Sequence, residues 1–374
     1  MASIYKLLGD YIEPVELKNS DGALDEADLR GISVNKEFID THANLVGVTF
    51  EGYKVVPAQS FAYIPDTSRR GDRIAIAFND SGNSLIVSSI CTVFKVVKTD
   101  QLDSEYLNLW FNRSEFDRYA RFKSHGSARE VFDWDQLCAV ELPIPEIDIQ
   151  QKIVSIKNCI DLRAKALAEQ NDYLLELIEA VFRSWFIGEN ALYPTSRLPM
   201  SEIALISAGG DKPAVCQQTP SAECSVPIYS NGTDNEGLYG YTDAAKIIEP
   251  SVTVSARGTI GFTCLRYQPY YPIVRLISAT PKEKVTAEYL YLWLRGTVVT
   301  GVGTTQQQLT VPMFKNYEVN VPDAGSLDAF MKIATPLFAL IDANKSEMAE
   351  LAELRDALLP KLMSGEIDIS RVEL

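Results

Sequence analysis

The stretch that decides the fold is EYLNLW at Glu105–Trp110, which returns as EYLYLW at Glu288–Trp293. Downstream of each copy, residues match at one constant offset through a polar loop, a strand-like segment and a helix. The matched pairs are Gly126/Gly303, Glu141/Glu318, Pro145/Pro322, Leu174/Leu351, Glu176/Glu353, Leu177/Leu354, Ala180/Ala357, Gly188/Gly365 and Glu189/Glu366. Two unrelated amphipathic helices would not also agree in loop and strand, so the sequence predicts a tandem internal repeat.

A long amphipathic segment follows each copy of the motif. Between Gln151 and Phe186 apolar residues recur every seven positions, which is typical of a helix that buries one stripe against another helix. The economical partner is the other copy, so we predict an intramolecular antiparallel coiled-coil pair. Its predicted seam residues are Ile153, Ile160, Leu167, Leu174, Leu177 and Val181 in the first helix, and Leu337, Leu340, Leu351, Leu354 and Leu358 in the second.

Polar residues and prolines interrupt this pattern. Arg163, Gln170, Asn344 and Glu347 fall on the seam, where they either set the register of the pair or face solvent. Pro360 is predicted to kink or end the second helix, because proline lacks an N–H and clashes with the preceding turn. At ~1.5 Å per residue the first helix is roughly 54 Å long, which suits a spacer between two domains.

The segments before the helices alternate strand-like and turn-rich stretches. The predicted strands are Val55–Val56, Arg73–Phe78, Leu85–Val97, Val252–Ser255, Ile260–Arg266 and Ile273–Ala279, and the predicted short helices are Tyr106–Phe122 and Tyr289–Val298. The fold class is therefore α/β (α+β), with two globular domains separated by two long antiparallel helices and related by a pseudo-two-fold repeat. The predicted boundaries are 1–148 for the first domain, 149–189 for the first long helix, 190–325 for the second domain, and 326–374 for the second long helix and tail.

Composition excludes several classes of protein. The net charge of −15 over 374 residues argues against a general polyanion binder, although a local basic groove stays possible. Residues 190–322 carry 10 basic and 10 acidic side chains and are the least acidic part of the chain. Six cysteines without a CxxC pair argue against structural zinc, and no metal site is predicted. We expect a cytoplasmic chain with no membrane partner, since neither a signal peptide nor a run of ~18 apolar residues is found.

Catalytic motifs are missing from the sequence. His42 and His125 are the only histidines, and no HExxH, GxSxG or Walker sequence occurs. The loop GVGTTQQQ, at Gly301–Gln308, resembles a phosphate-cradling loop but lacks its lysine. The sequence therefore predicts no catalytic residue and no cofactor, with an enzyme that holds a phosphate in this loop as an alternative.

Two domains without catalytic residues suggest paired recognition, and the polar side chains of their loops suit nucleic acid. Arginine reads guanine edges, glutamine and asparagine read adenine, and serine or threonine contact bases or phosphates. Basic residues cluster near Arg69, Arg70 and Arg73 and again between Arg113 and Arg129, although a solvated helix face is an equal alternative there. The aromatic residues within the second cluster fall at helical spacing, which favours a core role for Phe116, Tyr119 and Phe122.

The chain resembles the specificity subunits of type I restriction-modification systems. The resemblance covers essentially the whole chain and is carried by LRGISVNKEF at Leu29–Phe38, SARGTIG at Ser255–Gly261, GTTQQQLTVPMFKNYEVNVP at Gly303–Pro322 and LRDALLPKLMSGEI at Leu354–Ile367. The first copy departs from the family pattern at two places. It has Phe78–Gly82 where the second has the SARG element, and GSARE where family loops often have GSxQ.

The resemblance implies two target recognition domains that each read half of a bipartite sequence in double-stranded DNA. The paired helices would set the spacer and dock modification (methyltransferase) subunits, two of them, and a restriction subunit would join the complex. Methyl transfer, DNA cleavage and S-adenosylmethionine would belong to those partners. The candidate DNA-binding residues are Arg30, Ser33, Asn35, Arg69, Arg70, Arg121, Lys123, Ser127, Arg129, Tyr229, Asn231, Ser255, Arg257, Thr259, Thr304, Thr305, Gln306 and Gln307.

A third hypothesis is a structural adaptor. In that case the helices would bind a protein partner and the α/β domains would bind no DNA. It differs from the DNA-reading hypothesis in predicting no sequence-selective binding even when the partner is present.

Overall fold

The computed structural model describes residues 5–41, 47–66, 73–124, 130–297, 299, 308–370 and 372. The chain divides into two compact units. Unit 1 comprises Met1–Lys165 and Met348–Leu374, and unit 2 comprises Ala166–Glu347. Each unit thus combines an α/β domain with one portion of each long helix.

Unit 1 is built on a four-stranded antiparallel sheet of order β2-β9-β6-β7. Three two-stranded pairs, β1-β10, β3-β4 and β5-β8, accompany it. The strands are β1 Tyr5–Leu7, β2 Ile12–Pro14, β3 Arg30–Ile32, β4 Phe38–Asp40, β5 Lys54–Val56, β6 Ser60–Tyr63, β7 Ile76–Phe78, β8 Leu85–Val87, β9 Thr92–Val96 and β10 Glu141–Pro143. The helices are α1 Ser104–Phe111, α2 Ser114–Lys123, α3 Trp134–Cys138 and α4 Ile147–Phe186, of which α4 continues into unit 2.

The core of unit 1 is aromatic. Phe61 stacks on Phe94 with ring centroids 5.0 Å apart, and Phe111 meets both rings edge-on. Leu362 and Met363, near the end of the second long helix, belong to the same core. The C-terminal segment is therefore part of the first domain's packing, although it lies far away in sequence.

Unit 2 repeats this plan with a four-stranded antiparallel sheet of order β12-β18-β15-β16. The pair β11-β19 and a three-stranded sheet, β14-β13-β17, complete its strands. The strands are β11 Thr195–Pro199, β12 Ala204–Ala208, β13 Val226–Tyr229, β14 Leu238–Thr242, β15 Ser251–Val254, β16 Thr263–Arg266, β17 Tyr271–Pro272, β18 Ile277–Pro281 and β19 Glu318–Pro322. The helices are α5 Met200–Ile203, α6 Ala287–Arg295, α7 Val311–Lys315 and α8 Ala324–Ser364.

The EYLxLW motifs form α1 and α6, which make equivalent contacts in the two units. Both helices begin at a side-chain cap, Asp103 in unit 1 and Thr286 in unit 2. The Tyr106 hydroxyl donates to the carbonyl of Pro143 at 3.1 Å, and the Tyr289 hydroxyl donates to that of Asn320 at 2.7 Å. Each buried tyrosine thereby fixes the helix against the strand that leads into a long helix.

The long helices differ from their prediction at the ends. Helix α4 begins at Ile147, and α8 continues through Pro360 to Ser364, so of the two predicted outcomes, a kink or an end at Pro360, the helix end does not occur. Only one turn of helix follows this proline, and Leu362 and Met363 within it are buried in the core of unit 1. That burial opposes the cost of a proline in a helix.

The polar residue Asn344 lies on the seam and is 4% exposed. Its amide nitrogen donates to the side-chain oxygens of Gln170, at 3.0 Å, and Asn171, at 2.8 Å. A buried amide with specific partners on a neighbouring helix favours one register, because a shift would leave it unsatisfied. Of the two alternatives for this position, the structure supports the register-setting one.

Three of the predicted seam residues are exposed. Leu177 is 52% exposed whereas Ile178 is 1% exposed, and Leu340 and Leu354 are likewise exposed. Heptads alternate steps of three and four residues, and at Leu177/Ile178 and Leu340/Ile341 apolar side chains occupy both alternatives. The correction moves Leu177, Leu340 and Leu354 off the seam. The other predicted seam residues are buried or half-buried, namely Ile153, Ile160, Leu167, Leu174, Val181, Leu337, Leu351 and Leu358.

Several predicted elements are split or shortened. The predicted strand Leu85–Val97 is the two strands β8 and β9, and the predicted helix Tyr106–Phe122 is α1 and α2, separated at Asn112 and Arg113. The predicted strand Ile273–Ala279 begins only at Ile277, because Ile273–Leu276 form a tight turn. That turn proves important for the candidate site.

Helix α8 is long and apolar enough, by length and composition alone, to cross a membrane. This is weak evidence, since the core helix of a soluble protein passes the same test. In unit 2 its buried residues include Phe330 and Phe338, which pack in the core with Phe182 and Tyr289.

Candidate nucleic-acid interface

In unit 2 the loop between β13 and β14 is held in an unusual backbone conformation. Asn235, Glu236 and Gly237 have φ of 47°, 53° and 81°, all in the left-handed region. A Cβ on Gly237 would lie 2.5 Å from the carbonyl oxygen of Ser230, so no other residue fits there. The loop therefore has one narrowly defined shape, which its neighbours must stabilise.

An ionic network supplies that stabilisation. The Glu236 carboxylate accepts from Lys345 of α8 at 2.6 Å and from Arg266 of β16 at 3.1 Å. The Arg266 guanidinium, 5% exposed, also stacks on the Tyr229 ring with its carbon 3.6 Å from the centroid. Burial acts to raise the pKa of Glu236, but Lys345 and Arg266 outweigh it, so the pKa lies below its ordinary value.

Asn231, a candidate DNA-binding residue, joins three loops together. Its side-chain oxygen accepts from the backbone nitrogen of Ala256 at 2.7 Å, and its amide nitrogen donates to the carbonyl of Val274 at 2.6 Å. Its own carbonyl accepts from the Ser255 hydroxyl at 3.3 Å. The Asn231 side chain is thus committed to holding the loops in place.

Two exposed arginines meet on one side-chain oxygen at the edge of these loops. Arg257, from the β15–β16 loop, donates to the Oε1 of Gln308 at 3.2 Å. Arg275 donates to the same oxygen at 3.5 Å. Arg266 and Arg295, by contrast, form ion pairs with Glu236 and Glu179. The described residues provide Arg257 and Arg275 with no carboxylate at ion-pair distance.

Arg275 lies on a strained turn, and sequence reasoning missed it. The amide of Leu276 bonds the carbonyl of Ile273 at 3.0 Å, with Val274 and Arg275 between them at φ of 52° and 62°. Two left-handed central residues define a type I′ turn, which favours glycine or asparagine and disfavours β-branched valine. A run of apolar residues with no turn signal concealed this feature.

Gly209 and Gly210 hold the strained turn. The amides of Val274 and Arg275 donate to the carbonyls of Gly210 and Gly209 at 2.8 and 2.9 Å. A Cβ on Gly209 would lie 2.6 Å from the nitrogen of Ile273, so the close approach requires glycine. Strain of this kind persists only where the surroundings over-determine it, which is common at functional sites.

The remaining candidates of unit 2 divide by exposure. Thr259 is exposed at the tip of the β15–β16 loop, where it is available to a ligand. Ser255 is buried and the Tyr229 ring lies under the Arg266 guanidinium, so neither side chain extends from the loops as the Arg257 and Thr259 side chains do. The predicted residues Arg69, Arg70, Ser127, Arg129, Thr304, Thr305, Gln306 and Gln307 lie outside the described residues.

Unit 1 presents a corresponding hairpin between β3 and β4. Its Lys36 has φ of 67°, and the buried ammonium lies 2.9 Å from the carboxylate of Asp117 on α2. It also donates to the carbonyl of Phe111 and lies 5.4 Å from the Phe116 ring centroid. Burial lowers the pKa of Lys36 despite the opposing effect of Asp117.

Several unit 1 candidates already have intramolecular partners. Arg30 donates to the carbonyls of Ala27 and Leu29 and faces Asp40 at 3.7 Å. The Ser33 hydroxyl accepts from the amide of Asn35 at 3.2 Å, and the Asn35 side chain accepts from Arg73 at 3.3 Å. The Arg30 guanidinium is therefore held by two backbone carbonyls, whereas Asn35 is exposed.

The end of α2 carries the other unit 1 candidates. Arg121 forms an ion pair with Glu130, and the ammonium of Lys123 lies 5.7 Å from the Tyr119 ring centroid. Phe116 belongs to the core, as its spacing predicted, but Phe122 is 82% exposed. Phe122 follows Phe116 by six residues, which places it roughly 240° around the helix and away from the buried side chains Phe116, Asp117 and Ala120.

Sheet order corrects the pairing of the two copies. Because β6 occupies in its sheet the place that β15 occupies in the other, the segment after Tyr63 corresponds to the SARG element. The segment Phe78–Gly82 instead follows β7, the counterpart of β16. Part of the true counterpart, including Arg69 and Arg70, lies outside the described residues. Unequal loop lengths hid this correspondence in the sequence.

No metal centre is found in the part of the chain that the structure describes, where no three His, Cys, Asp or Glu side chains are grouped to hold an ion. Perturbed acid–base groups include Lys36 and Glu236 in the two loop networks and the buried tyrosines Tyr106 and Tyr289, whose pKa values burial raises. These arrangements position loops by fixed charges and hydrogen bonds.

Comparison with known proteins agrees with a recognition role. A model of the type I restriction modification DNA specificity domain matches residues 202–355. The C-terminal part of a putative type I specificity subunit of Mycoplasma pneumoniae is 38% identical over 116 residues, covering 31% of this chain and 79% of that protein. The chain belongs to the family of type I restriction-modification specificity subunits. Subunits of this family are non-catalytic, which confirms the prediction that the chain is not an enzyme.

Longer matches extend the family relationship over most of the chain. Another putative specificity subunit of Mycoplasma pneumoniae is 29% identical over 292 residues, covering 72% of this chain and 82% of that protein. A type I restriction enzyme specificity subunit of Methanocaldococcus jannaschii is 24% identical over 311 residues, covering 74% and 72%. The structural-adaptor alternative is not favoured by these relatives.

A solved structure shows that the fold is shared. The S subunit of a type I restriction-modification system from M. genitalium has a TM-score of 0.56 and 14% sequence identity to this chain. The match covers 98% of this chain and 96% of that one. The mixed α/β fold with long helices is therefore that of a type I specificity subunit.

Proposed function

We propose that the chain reads a bipartite sequence in double-stranded DNA, one half through each α/β domain. The observation that carries this proposal is the loop cluster of unit 2. Asn231 ties the loops at Ala256 and Val274, and the same loops expose Arg257, Thr259 and Arg275. Arginine and threonine are side chains that contact base edges and phosphates, and anchored loops place them reproducibly.

The proposed reading domains follow the boundaries predicted from sequence. Residues 1–148 and 190–325 would be the two target recognition domains, and 149–189 and 326–374 the spacer helices with the tail. The shared sheet order and the paired tyrosine contacts of α1 and α6 support an internal repeat. Similar domains that differ in their loops suit a target with two different halves.

The helices would form an antiparallel coiled-coil pair that sets the spacer. In unit 2 the contacts of Asn344 with Gln170 and Asn171 support such a pair. In unit 1, Arg355 lies 3.3 Å from Asp161 on α4, which agrees with the same direction of packing. At ~1.5 Å per residue a helix of 40 residues is roughly 60 Å long, enough to separate readers by about one DNA turn.

Partners would supply the chemistry and much of the electrostatic attraction. We propose two methyltransferase subunits docked on the helices, a restriction subunit joined to that core, and S-adenosylmethionine bound by the methyltransferase. The acidic balance of −15 fits a chain that relies on such partners for phosphate contacts, which dominate affinity and its salt dependence. The complex would act on DNA in the cytoplasm, without a membrane partner.

A domain exchange tests the proposal. Replacing residues 190–322 by the matching segment of a relative with another target should change one half of the recognised sequence and leave the other half intact. Mapping methylated adenines in cells that carry the complete system measures both halves together, with cells lacking this chain as the control. Changes in both halves, or in neither, would contradict the modular reading. Absence of any sequence-selective methylation would favour the adaptor hypothesis.

A further inference from the structure

The two arginines that converge on Gln308 are suited to a recognition task more specific than general DNA binding. Both guanidiniums are exposed, and their terminal nitrogens lie 3.2 and 3.5 Å from one neutral carbonyl-type oxygen. Other arginines of unit 2, such as Arg266 and Arg295, are held by carboxylates. A guanidinium bonded only to an amide can exchange that partner for a ligand acceptor without losing an ion pair.

The backbone that carries this pair is held unusually firmly. Asn231 bonds the backbone at Ala256 and at Val274, the residues that immediately precede Arg257 and Arg275. Val274 and Arg275 both have positive φ in the strained turn, and their amides donate to the carbonyls of Gly210 and Gly209. Firm placement is worth little for a phosphate contact, which tolerates flexible side chains, but base readout requires it.

The acceptor chemistry points to guanine. The Oε1 of Gln308 and the O6 of guanine are both neutral carbonyl-type oxygens, and guanine adds a second acceptor, N7, beside its O6. The guanidinium fork matches these two acceptors, whereas adenine presents a donor beside its N7. In the absence of DNA, the amide oxygen of Gln308 occupies the place of such an acceptor.

We propose that Arg257 and Arg275 are specificity-determining residues that read guanine in the half-site of unit 2, with Gln308 holding them in register until the base edge replaces it. This inference rests on the proposed DNA-reading function and adds to it the residues and the base. Asn231 is a positioning residue in this scheme, because it acts through the backbone of both arginine loops.

The test compares charge-matched variants of the full chain, assembled with the modification subunits of its own system. Arg275→Ala and Lys246→Ala each remove one exposed positive charge from the same unit, and Lys246 lies beside the turn, near Gly210. Binding to a randomised DNA library gives affinity at every base position. We expect Arg275→Ala to lower discrimination for guanine at one position by roughly 5- to 150-fold and to leave the other half-site unchanged.

The charge control should behave differently. Lys246→Ala should weaken binding to all sequences alike and reduce the slope of log affinity against log salt by about 1. Arg275→Lys keeps the charge and the long side chain but loses the bidentate fork, so it should lose guanine discrimination as Arg275→Ala does. It also carries the test if Arg275→Ala fails to fold, which circular dichroism would show.

The outcomes distinguish a failure of the proposed DNA-reading function from a failure of the guanine-reading inference. If the DNA sequences selected by the wild-type complex contain no bipartite motif, both the proposed function and this inference are overturned. A bipartite motif that Arg275→Ala and Arg257→Ala leave intact would overturn only the inference. A uniform loss across sequences in the arginine variants would also overturn it, since that result assigns the pair to phosphates.

Discussion

The hairpin loops of the two units are held by ion pairs of opposite polarity. In unit 1 the loop supplies the cation, Lys36, and helix α2 supplies the carboxylate, Asp117. In unit 2 the loop supplies the carboxylate, Glu236, and strand β16 supplies the cation, Arg266. Each cation lies over an aromatic ring, and each loop residue has a positive φ. The similar loop conformations are therefore maintained by different residues.

The two networks differ in what else they touch. Lys36 and Asp117 are both buried, and their remaining bonds go to the backbone of Phe111 and Ile74 in the same domain. Glu236 is partly exposed and bonds Lys345 on the long helix α8. The loop of unit 1 is thus fixed within its domain, whereas the loop of unit 2 is also linked to the long helix α8. Variants in the two networks should therefore differ in their effect on stability.

The largest effect is expected for Asp117→Ala. The change leaves the Lys36 ammonium buried without its counter-charge, which costs about 3–5 kcal/mol of unfolding free energy. Urea denaturation measures the loss, with Glu115→Ala on the same helix as control. Glu115 pairs with Arg113 and Arg118 at the surface, so its removal should cost no more than about 1 kcal/mol. Equal losses in the two variants would refute the distinction between buried and surface pairs.

A pH series sharpens the same comparison. Because the folded pKa of Lys36 lies below its ordinary value of 10.5, folding disfavours its charged form, and this cost is relieved as the pH rises toward 10.5. Without Asp117 the pKa should fall further, so the deficit of Asp117→Ala relative to wild type should shrink between neutral pH and pH 10.5. Both proteins contain the same buried tyrosines, so the difference between their unfolding free energies removes the contribution of tyrosine ionisation. A constant deficit would mean that Lys36 keeps its proton in the folded variant up to pH 10.5, which would contradict the further fall of its pKa.

A smaller effect is expected for Gly237→Ala in the loop of unit 2. The alanine meets the backbone oxygens of Ser230 and Gly232 at 2.5 and 2.8 Å and also adopts a left-handed conformation. The conformation alone costs about 1–2 kcal/mol. Gly258→Ala is the matched control, because Gly258 has φ of 68° with no atom within 4 Å of its added Cβ. The excess loss in thermal or urea unfolding of Gly237→Ala measures the steric clash, and no excess would disprove the close packing of this loop.

The smallest effect is expected for Lys345→Met, which cuts the link to α8. Both partners are about half exposed, so the loss should be below about 1 kcal/mol at neutral pH. The folded pKa of Glu236 lies below its ordinary value of 4.5, so this contribution is present above pH 4.5 and is lost as the pH falls through the folded pKa. Unfolding free energies across that range should converge for wild type and variant. Lys332→Met, an exposed change on the same helix, is the control.

Sequence reasoning succeeded where the pattern has one physical solution. The EYLxLW motifs predicted short helices in both copies, and α1 and α6 begin within two residues of the predicted starts. The buried stripe through Ile153, Leu167 and Leu174 also followed from periodicity alone. It failed at Leu177 and Ile178, because both are apolar and only the packing of the neighbouring core distinguishes them.

The candidate site was predicted less completely than the fold. The family resemblance pointed to the SARGTIG segment, and Arg257 and Thr259 are exposed there. Arg275 was missed, because its turn violates the usual preferences: Val274 and Arg275 adopt left-handed conformations that sequence rules reserve for glycine and asparagine. Only the backbone of Gly209 and Gly210, distant in sequence, makes that turn possible.

The amino-acid sequence by itself determined the repeated motifs, the two long helices and the membership of a family that reads DNA, because each depends on local spacing of side chains. Tertiary structure decided which side chains are free to touch a ligand. Asn231 and Ser255 look like readers in sequence, yet they hold loops, whereas Arg257 and Arg275 converge on Gln308. Hydrogen bonds between loops far apart in the chain make that assignment, and no local pattern encodes them.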